Sequence, residues 1–171
     1  MRKWISCLLL LLPLTLQAEE PVAVSTDTPA ATLVADALEK ADAESKLVFM
    51  KSGWPGCGYC RMFDKYHHMP EVEAILSQFY VVVSIDINNM PDGKAVFSEY
   101  ARPGGPSWAI VTPEKEVIVT SFTKGDKGNT GFPVKPNELA HYKNALKKAS
   151  PEITTEELDT LGAMLLKAYG R

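Results

Sequence analysis

The chain has 171 residues, 46 % of them hydrophobic and 23 % charged, a balance that excludes collagen-like, coiled-coil and wholly disordered classes and suits one modest domain. Lys and Arg number 18 against 21 Asp and Glu, so the formal net charge is −3, without the basic excess that holds nucleic acid, and no nucleic-acid partner is expected. Three cysteines are too few for a disulfide scaffold, so the fold has to rest on a hydrophobic core.

Arg2 and Lys3 precede an uncharged, Leu-rich stretch from Trp4 to Leu16, and Gln17-Ala18 then leads into Glu19-Glu20. A basic start, a short apolar run and a small residue are the parts of a secretory signal, so residues 1–18 read as a signal peptide cut after Ala18. A retained N-terminal anchor is the other reading, but the run is shorter than the ~20 residues that span a bilayer. No stable membrane insertion is therefore expected once the signal is removed. Cys7 leaves with it, and Cys57 and Cys60 then face an oxidising space, the periplasm or another exported compartment. Residues 19–31 carry Pro, Thr, Ser and Ala without apolar period and read as a flexible leader.

A first helix follows, with Thr28 as its cap, Pro29 in its first turn, and Val34, Ala37, Leu38 and Ala41 at helical spacing. Leu47 to Met50 is a short apolar run between lysines, suited to a buried strand. Gly58 to Tyr66 permits a helix, and Pro70 opens another with Val72, Ile75 and Leu76 on one face. Phe79 to Ile87 is dense in β-branched and aromatic residues and predicts a strand. Ala95 to Tyr100 suggests a helix, and Trp108–Val111 and Val117–Phe122 two antiparallel strands joined by Pro113-Glu114-Lys115-Glu116. Residues 123–136 read as a Gly- and Pro-bearing loop that matches neither a calcium nor a phosphate template. Leu139, Tyr142 and Leu146 align on one helix, and Thr154 with Glu157 makes a capping box for a last helix bearing Leu158, Leu161 and Leu165. The order is that of an α/β protein whose first strands are parallel. The last helix either supports the core or offers a face to a partner.

In Ser52-Gly53-Trp54-Pro55-Gly56-Cys57-Gly58-Tyr59-Cys60, two thiols stand three residues apart, directly after a strand and at a helix start. Residues so spaced on a helix share a face at about 5–6 Å, within reach of a disulfide. At the helix start, unpaired N–H groups and the positive end of the macrodipole favour the Cys57 thiolate. Helix-terminal cysteines fall from about 8.5 to between ~3.5 and ~7.5, which makes attack on disulfides feasible at neutral pH. Cys60, one turn in, is expected to be more covered and to resolve the mixed disulfide, with Asp64 tending to keep its thiol protonated.

Strand, Trp, Cys-x-x-Cys, helix and a distant Gly-Pro before a strand together resemble the thioredoxin superfamily, from about Leu33 to about Ala149. The resemblance implies a thioredoxin-like fold: a central mixed sheet flanked by helices, with an extra N-terminal helix and an added C-terminal one. Its domain would occupy residues 32–149, followed by a helical extension over 150–171. It further implies that Cys57 is the attacking thiol, Cys60 the resolving thiol and Pro106 a cis-proline beside them. Gly105 would turn its N–H and C=O toward an extended substrate, an open wall without side chain, with Trp54, Gly58 and Tyr59 completing the substrate contacts. Two departures stand out. Pro55 and Gly56 intervene between Trp54 and Cys57, and the buried carboxylate of many thioredoxins falls on Phe49 or Lys51, neither of which is an acid.

Other readings of the pair stay open. Cys57 and Cys60 could form a plain structural disulfide, or bind copper or zinc with His67 and His68, although adjacent histidines on a helix point about 100° apart. The leading expectation is an exported thiol-disulfide oxidoreductase with no organic cofactor and no metal, acting on protein thiols and disulfides and served by an upstream redox partner protein. A redox-sensitive binding module on the same scaffold is the rival.

Overall fold

The computed structural model describes residues 27–125 and 127–170. Along the chain lie α1 (Ala30–Ala43), β1 (Leu47–Gly53), α2 (Gly58–His67), α3 (Pro70–Phe79), β2 (Tyr80–Asp86) and α4 (Gly93–Ser98). They are followed by β3 (Ser107–Val111), β4 (Val117–Thr120), β5 (Phe122–Lys124), β6 (Lys127–Asn129), α5 (Pro136–Ala149) and α6 (Thr155–Tyr169). The segment read as a signal peptide and residues 19–26 of the leader lie outside the described residues. Among the described residues no helix is long and apolar enough to cross a membrane.

The main sheet has the order β2-β1-β3-β4, with β1 parallel to β2 and antiparallel to β3, and β3 antiparallel to β4. β1 is central because Val48 to Ser52 are all buried, which requires cover on both faces. The pleat sends Val48 and Met50 to one side, where they pack with Ala109, Val111 and the apolar faces of α1 and α4. Phe49 points the other way and joins Trp108, Ile110 and residues of α2, α3, α5 and α6. Two apolar layers thus sandwich one mixed sheet, the α/β arrangement expected.

Three local expectations are corrected. α1 begins at Ala30, inside the span read as leader, and Thr28 does not cap it. Pro29 occupies the cap position without a side-chain acceptor, so the carboxylate of Asp92 accepts from the N–H groups of Ala30 (2.7 Å) and Ala31 (2.9 Å) instead. Those bonds hold the Asp92 carboxyl below its usual range. The second correction is β1 itself, which runs on through Lys51 and Ser52 to Gly53, because pairing with β2 and β3 overrides their polarity. In the third, the loop read over residues 123–136 contains part of a hairpin, β5 with β6. Gly125 and Gly128 take positive φ to turn it, and the Thr123 hydroxyl donates to the Gly128 carbonyl at 3.2 Å. Its strand residues are mostly exposed, so no apolar alternation announced it.

α6 is built into the core. Thr154 and Glu157 cap it reciprocally as expected, and Leu158, Leu161, Leu165 and Ala168 join the Phe49 and Trp108 layer. His67 lies in that layer too, with its ring centroid 4.4 Å from Phe63, 5.0 Å from Tyr66 and 5.3 Å from Phe49. Its Nδ1 lies 2.8 Å from the Phe63 carbonyl, which can only accept, so Nδ1 carries the proton and the buried Nε2 has no partner. Burial first, and the Lys51 charge second, hold its pKa well below the usual histidine value.

Leu165→Ala should lower unfolding free energy by about 2–5 kcal/mol, read as a shift of the urea midpoint; a shift within ~0.5 kcal/mol would mark α6 as an appendage. Because His67 protonates near 6.5 in the unfolded chain and far less readily in the folded one, its contribution declines as pH falls below about 6.5. Urea midpoints compared between about pH 7.5 and 5 should therefore drop less for His67→Phe than for the parent. An equal drop would assign the acid sensitivity elsewhere.

Candidate active site

β1 ends where α2 begins, and the turn between them holds the two sulfurs. The Cys57 N–H donates to the Trp54 carbonyl at 3.0 Å, and Arg61 pins the turn by donating to the Pro55 carbonyl at 2.8 Å. Cys57 is the N-cap residue of α2, and its sulfur accepts from the Cys60 N–H at 3.1 Å. One of the orphan donors of the helix start is therefore aimed at this sulfur, which is the arrangement that stabilises a thiolate. Cys57 and Cys60 are joined as a disulfide, with Cα atoms 5.2 Å apart. Cys57 is 9 % exposed and Cys60 4 %, so Cys57 is the less covered residue of the two.

Opposite the disulfide lies the segment before β3, in which the Gly105–Pro106 peptide bond is cis. A Cβ on Gly105 would stand 3.1 Å from the Cys57 sulfur and run into the six-membered ring of Trp54. The wall expected to be open is thus covered on one side by half-buried Trp54. Pro55 and Gly56 lengthen the turn without removing the indole from the site. Gly58 is open, with nothing near its Cβ position, whereas the Tyr59 ring packs with Phe132 and Tyr169, ring centroids 6.2 and 6.5 Å away.

Residues 17–163 match the model of a family named Thioredox_DsbH and described as a protein of unknown function, DUF255. The chain belongs to that family. Its fold is thioredoxin-like, in keeping with that family's name, and is shared with a structure titled "disulphide isomerase" from Xylella fastidiosa Temecula1, at TM-score 0.53 and 18 % identity over 87 % of this chain and 98 % of that one. A structure titled "DsbH Oxidoreductase" aligns at TM-score 0.46 and 20 % identity, covering 77 % of this chain and 92 % of its own. Human spermatogenesis-associated protein 20 is 28 % identical over 104 residues, 57 % of this chain but 12 % of that protein, so the chain spans a small part of that relative's length.

In this Thioredox_DsbH domain the position behind Cys60 carries a cation. Gly53 abuts Cys60, since a Cβ there would lie 2.9 Å from its sulfur, and Lys51 is two residues earlier on the same strand face, roughly 7 Å below. Lys51 is only 5 % exposed and forms an ion pair with Asp64 on α2. Burial lowers the Lys51 pKa, and the Asp64 charge partly restores it. Lys51, Asp64 and Cys60 line one cavity of about 340 Å³ together with Trp54, Ser84 and Asp86. The Asp64 carboxylate, expected to keep Cys60 protonated, is turned onto Lys51. The buried charge on this face of β1 is thus a cation compensated by a carboxylate.

His67 and His68 do not converge on the sulfurs: His67 is enclosed by aromatic rings, and His68 is exposed at the end of α2. Among the described residues no group of three or more His, Cys, Asp or Glu is placed to hold a metal. Sequence reasoning missed Ser52 and Ser107, which join the two halves of the site. Ser52 Oγ donates to the Gly104 carbonyl and lies 2.9 Å from Ser107 Oγ, and Ser107 Oγ donates to the Arg102 carbonyl. Their signal was a polar residue at the end of a fully buried strand.

Lys51→Met should raise the pH at which Cys60 is alkylated in the reduced protein and slow resolution of a Cys57 mixed disulfide by up to about tenfold, with Lys51→Arg restoring both. An unchanged alkylation profile in Lys51→Met would reduce the cation to a packing role.

Proposed function

We propose that this chain is an exported thiol-disulfide oxidoreductase acting on protein disulfides, in reduction or interchange. The observation that carries the reading is the Cys57–Cys60 disulfide at the mouth of α2, facing the cis Gly105–Pro106 bond. In the reduced protein the Cys57 thiolate attacks one sulfur of a substrate disulfide, forms a mixed disulfide and expels the other substrate sulfur as a thiolate. The Cys60 thiol then gives up its proton to solvent and attacks the Cys57 sulfur. The Cys57–Cys60 bond forms, the second substrate sulfur leaves, and two electrons have passed to the substrate. A dithiol of an upstream partner protein reverses the exchange and restores the reduced pair. No organic cofactor enters these steps, since the sulfurs carry the electrons.

Each residue has a defined part. The helix start and the Cys60 N–H hold negative charge on Cys57, while Lys51 favours ionisation of Cys60 during resolution. Trp54 and the Gly105–Pro106 segment exclude water from one side of the exchanging sulfurs and offer main chain to an extended substrate. The basic, apolar and small-residue pattern of residues 1–18 supports export, where a reversible disulfide has work to do.

Cys60→Ala, unable to resolve, should accumulate proteins covalently bound to Cys57 that are released by dithiothreitol, and Cys57→Ser should accumulate none. Wild-type protein should also reduce a protein disulfide at least 100-fold faster than Cys57→Ser, reflecting the lost nucleophile. Equal rates and no trapped species would overturn the oxidoreductase reading in favour of a binding module.

A further inference from the structure

The two sulfurs do not share one approach. Cys60 lines the cavity of about 340 Å³ between the end of β1, α2 and the last residues of β2, and Cys57 does not. Each sulfur abuts a glycine of its own: a Cβ on Gly105 would lie 3.1 Å from the Cys57 sulfur, and one on Gly53 would lie 2.9 Å from that of Cys60. Gly53 belongs to the cavity wall, so its missing side chain keeps a methyl group out of the space between cavity and Cys60 sulfur. The exposed residues Pro55, Arg61 and Asp64 mark the mouth of the cavity, and the buried residues Cys60 and Phe63 its inner end.

Charge along the walls balances. Lys51 is paired with Asp64, Arg61 donates to the Pro55 carbonyl, and the Asp86 carboxylate accepts from the N–H groups of Asn88 and Asn89. Most of the remaining surface is apolar, with Trp54, Ile85 and Met90 contributing. The volume stands at the low end of the roughly 300–1,000 Å³ range of small-molecule sites, enough for a molecule of a few heavy atoms. A protein cysteine carries its sulfur one carbon from the main chain, so to reach Cys60, only 4 % exposed, its backbone would have to enter the cavity as well. The leaving group also favours attack at this sulfur. Cys57, at the start of α2 and accepting from the Cys60 N–H at 3.1 Å, is released as the better-stabilised thiolate, and thiols of lower pKa leave faster.

Resting on the reversible disulfide of the proposed function, we propose that this cavity is an entry site for a low-molecular-weight thiol with no net charge on its tail, which reduces the disulfide by attacking Cys60 instead of Cys57. The thiol enters between Pro55, Arg61 and Asp64, and its thiolate attacks the Cys60 sulfur. A bond forms between the two, the Cys57–Cys60 bond breaks, and Cys57 leaves as a thiolate. A second thiolate of the same kind attacks the small-molecule sulfur of that mixed disulfide, the small disulfide departs, and the Cys60 thiolate takes a proton from solvent. Two thiols are oxidised to one disulfide, and two electrons pass to the protein. Proteins exchange at Cys57, small thiols at Cys60, and the size of the cavity separates the two.

The test isolates each sulfur. Reduced Cys57→Ser, which keeps Cys60, and reduced Cys60→Ser, which keeps Cys57, are mixed with hydroxyethyl disulfide or with insulin, and adducts are followed by intact-mass spectrometry. With the small disulfide, the Cys60 thiolate attacks one sulfur, mercaptoethanol leaves as its thiolate, and the product is the same mixed disulfide that the entry step creates. Cys60 should form this adduct within about tenfold of the Cys57 rate, yet react with insulin at least roughly 100-fold more slowly than Cys57 does, because access decides which sulfur exchanges. Ser84→Phe, which fills the cavity from β2, should slow the Cys60 adduct about tenfold or more and leave Cys57 within about twofold, the latter reporting an intact fold. Ser84→Leu serves as a smaller plug where Phe prevents folding, and Ser84→Ala should change neither rate. No Cys60 adduct while Cys57 reacts, or a Cys60 adduct untouched by the plug in protein with normal Cys57 reactivity, would overturn the entry site and leave exchange at Cys57 standing. A Cys57 inert toward insulin beside a Cys60 that takes the small disulfide would instead overturn the protein oxidoreductase reading and leave the entry site standing.

Discussion

Where β1 runs out at Gly53, the chain has no room for a side chain. Cys60 occupies the space that a Cβ would need, Trp54 lies against Gly105, and the Cys57 sulfur stands beside the same glycine. Three backbones meet there: the end of β1, the first turn of α2 and the cis Gly105–Pro106 segment. Two glycines make the approach possible, and Ser52 bonded to Gly104 and placed against Ser107 holds it. This junction keeps the two sulfurs within bonding reach of each other.

A central strand buried on both faces makes Lys51 costly, since a cation there loses its hydration. Asp64 offsets that loss from α2, one turn beyond Cys60, and the pair links strand and helix directly beneath the disulfide. The position behind Cys60 therefore holds a compensated ion pair. His67 shows the opposite solution to burial. It remains neutral, donating from Nδ1 to its own helix and leaving Nε2 without a partner among aromatic rings.

The hairpin and α6 change what the common scaffold presents to solvent. Asn129 ties the hairpin to Pro106, and α6 is held by four apolar residues in the main core, so Tyr169 at its end is delivered to Tyr59 by a rigid element. An exposed tyrosine between the cysteines thereby becomes one wall of a cavity shared with Gly105, Pro106 and the hairpin. Packing energy and site geometry come from the same helix, which explains how a segment readable as an extension is integral to both.

The α/β order, the apolar faces of most helices, the α6 capping box and the placement of Cys57 and Cys60 at a helix start were all legible from residue spacing. Each of these depends on residues close together in the chain, so spacing alone reports them. Tertiary structure decided what depends on distant partners. Asp92 caps α1 in place of Thr28, Asp64 turns to Lys51, Trp54 covers Gly105, and Tyr59 meets Phe132 and Tyr169. The hairpin belongs to the same class, because its exposed strands carry no alternation and are recognisable only through their pairing. A carboxylate or an aromatic ring can serve many partners at once in the unfolded chain, and only the packed backbone selects which of them it meets.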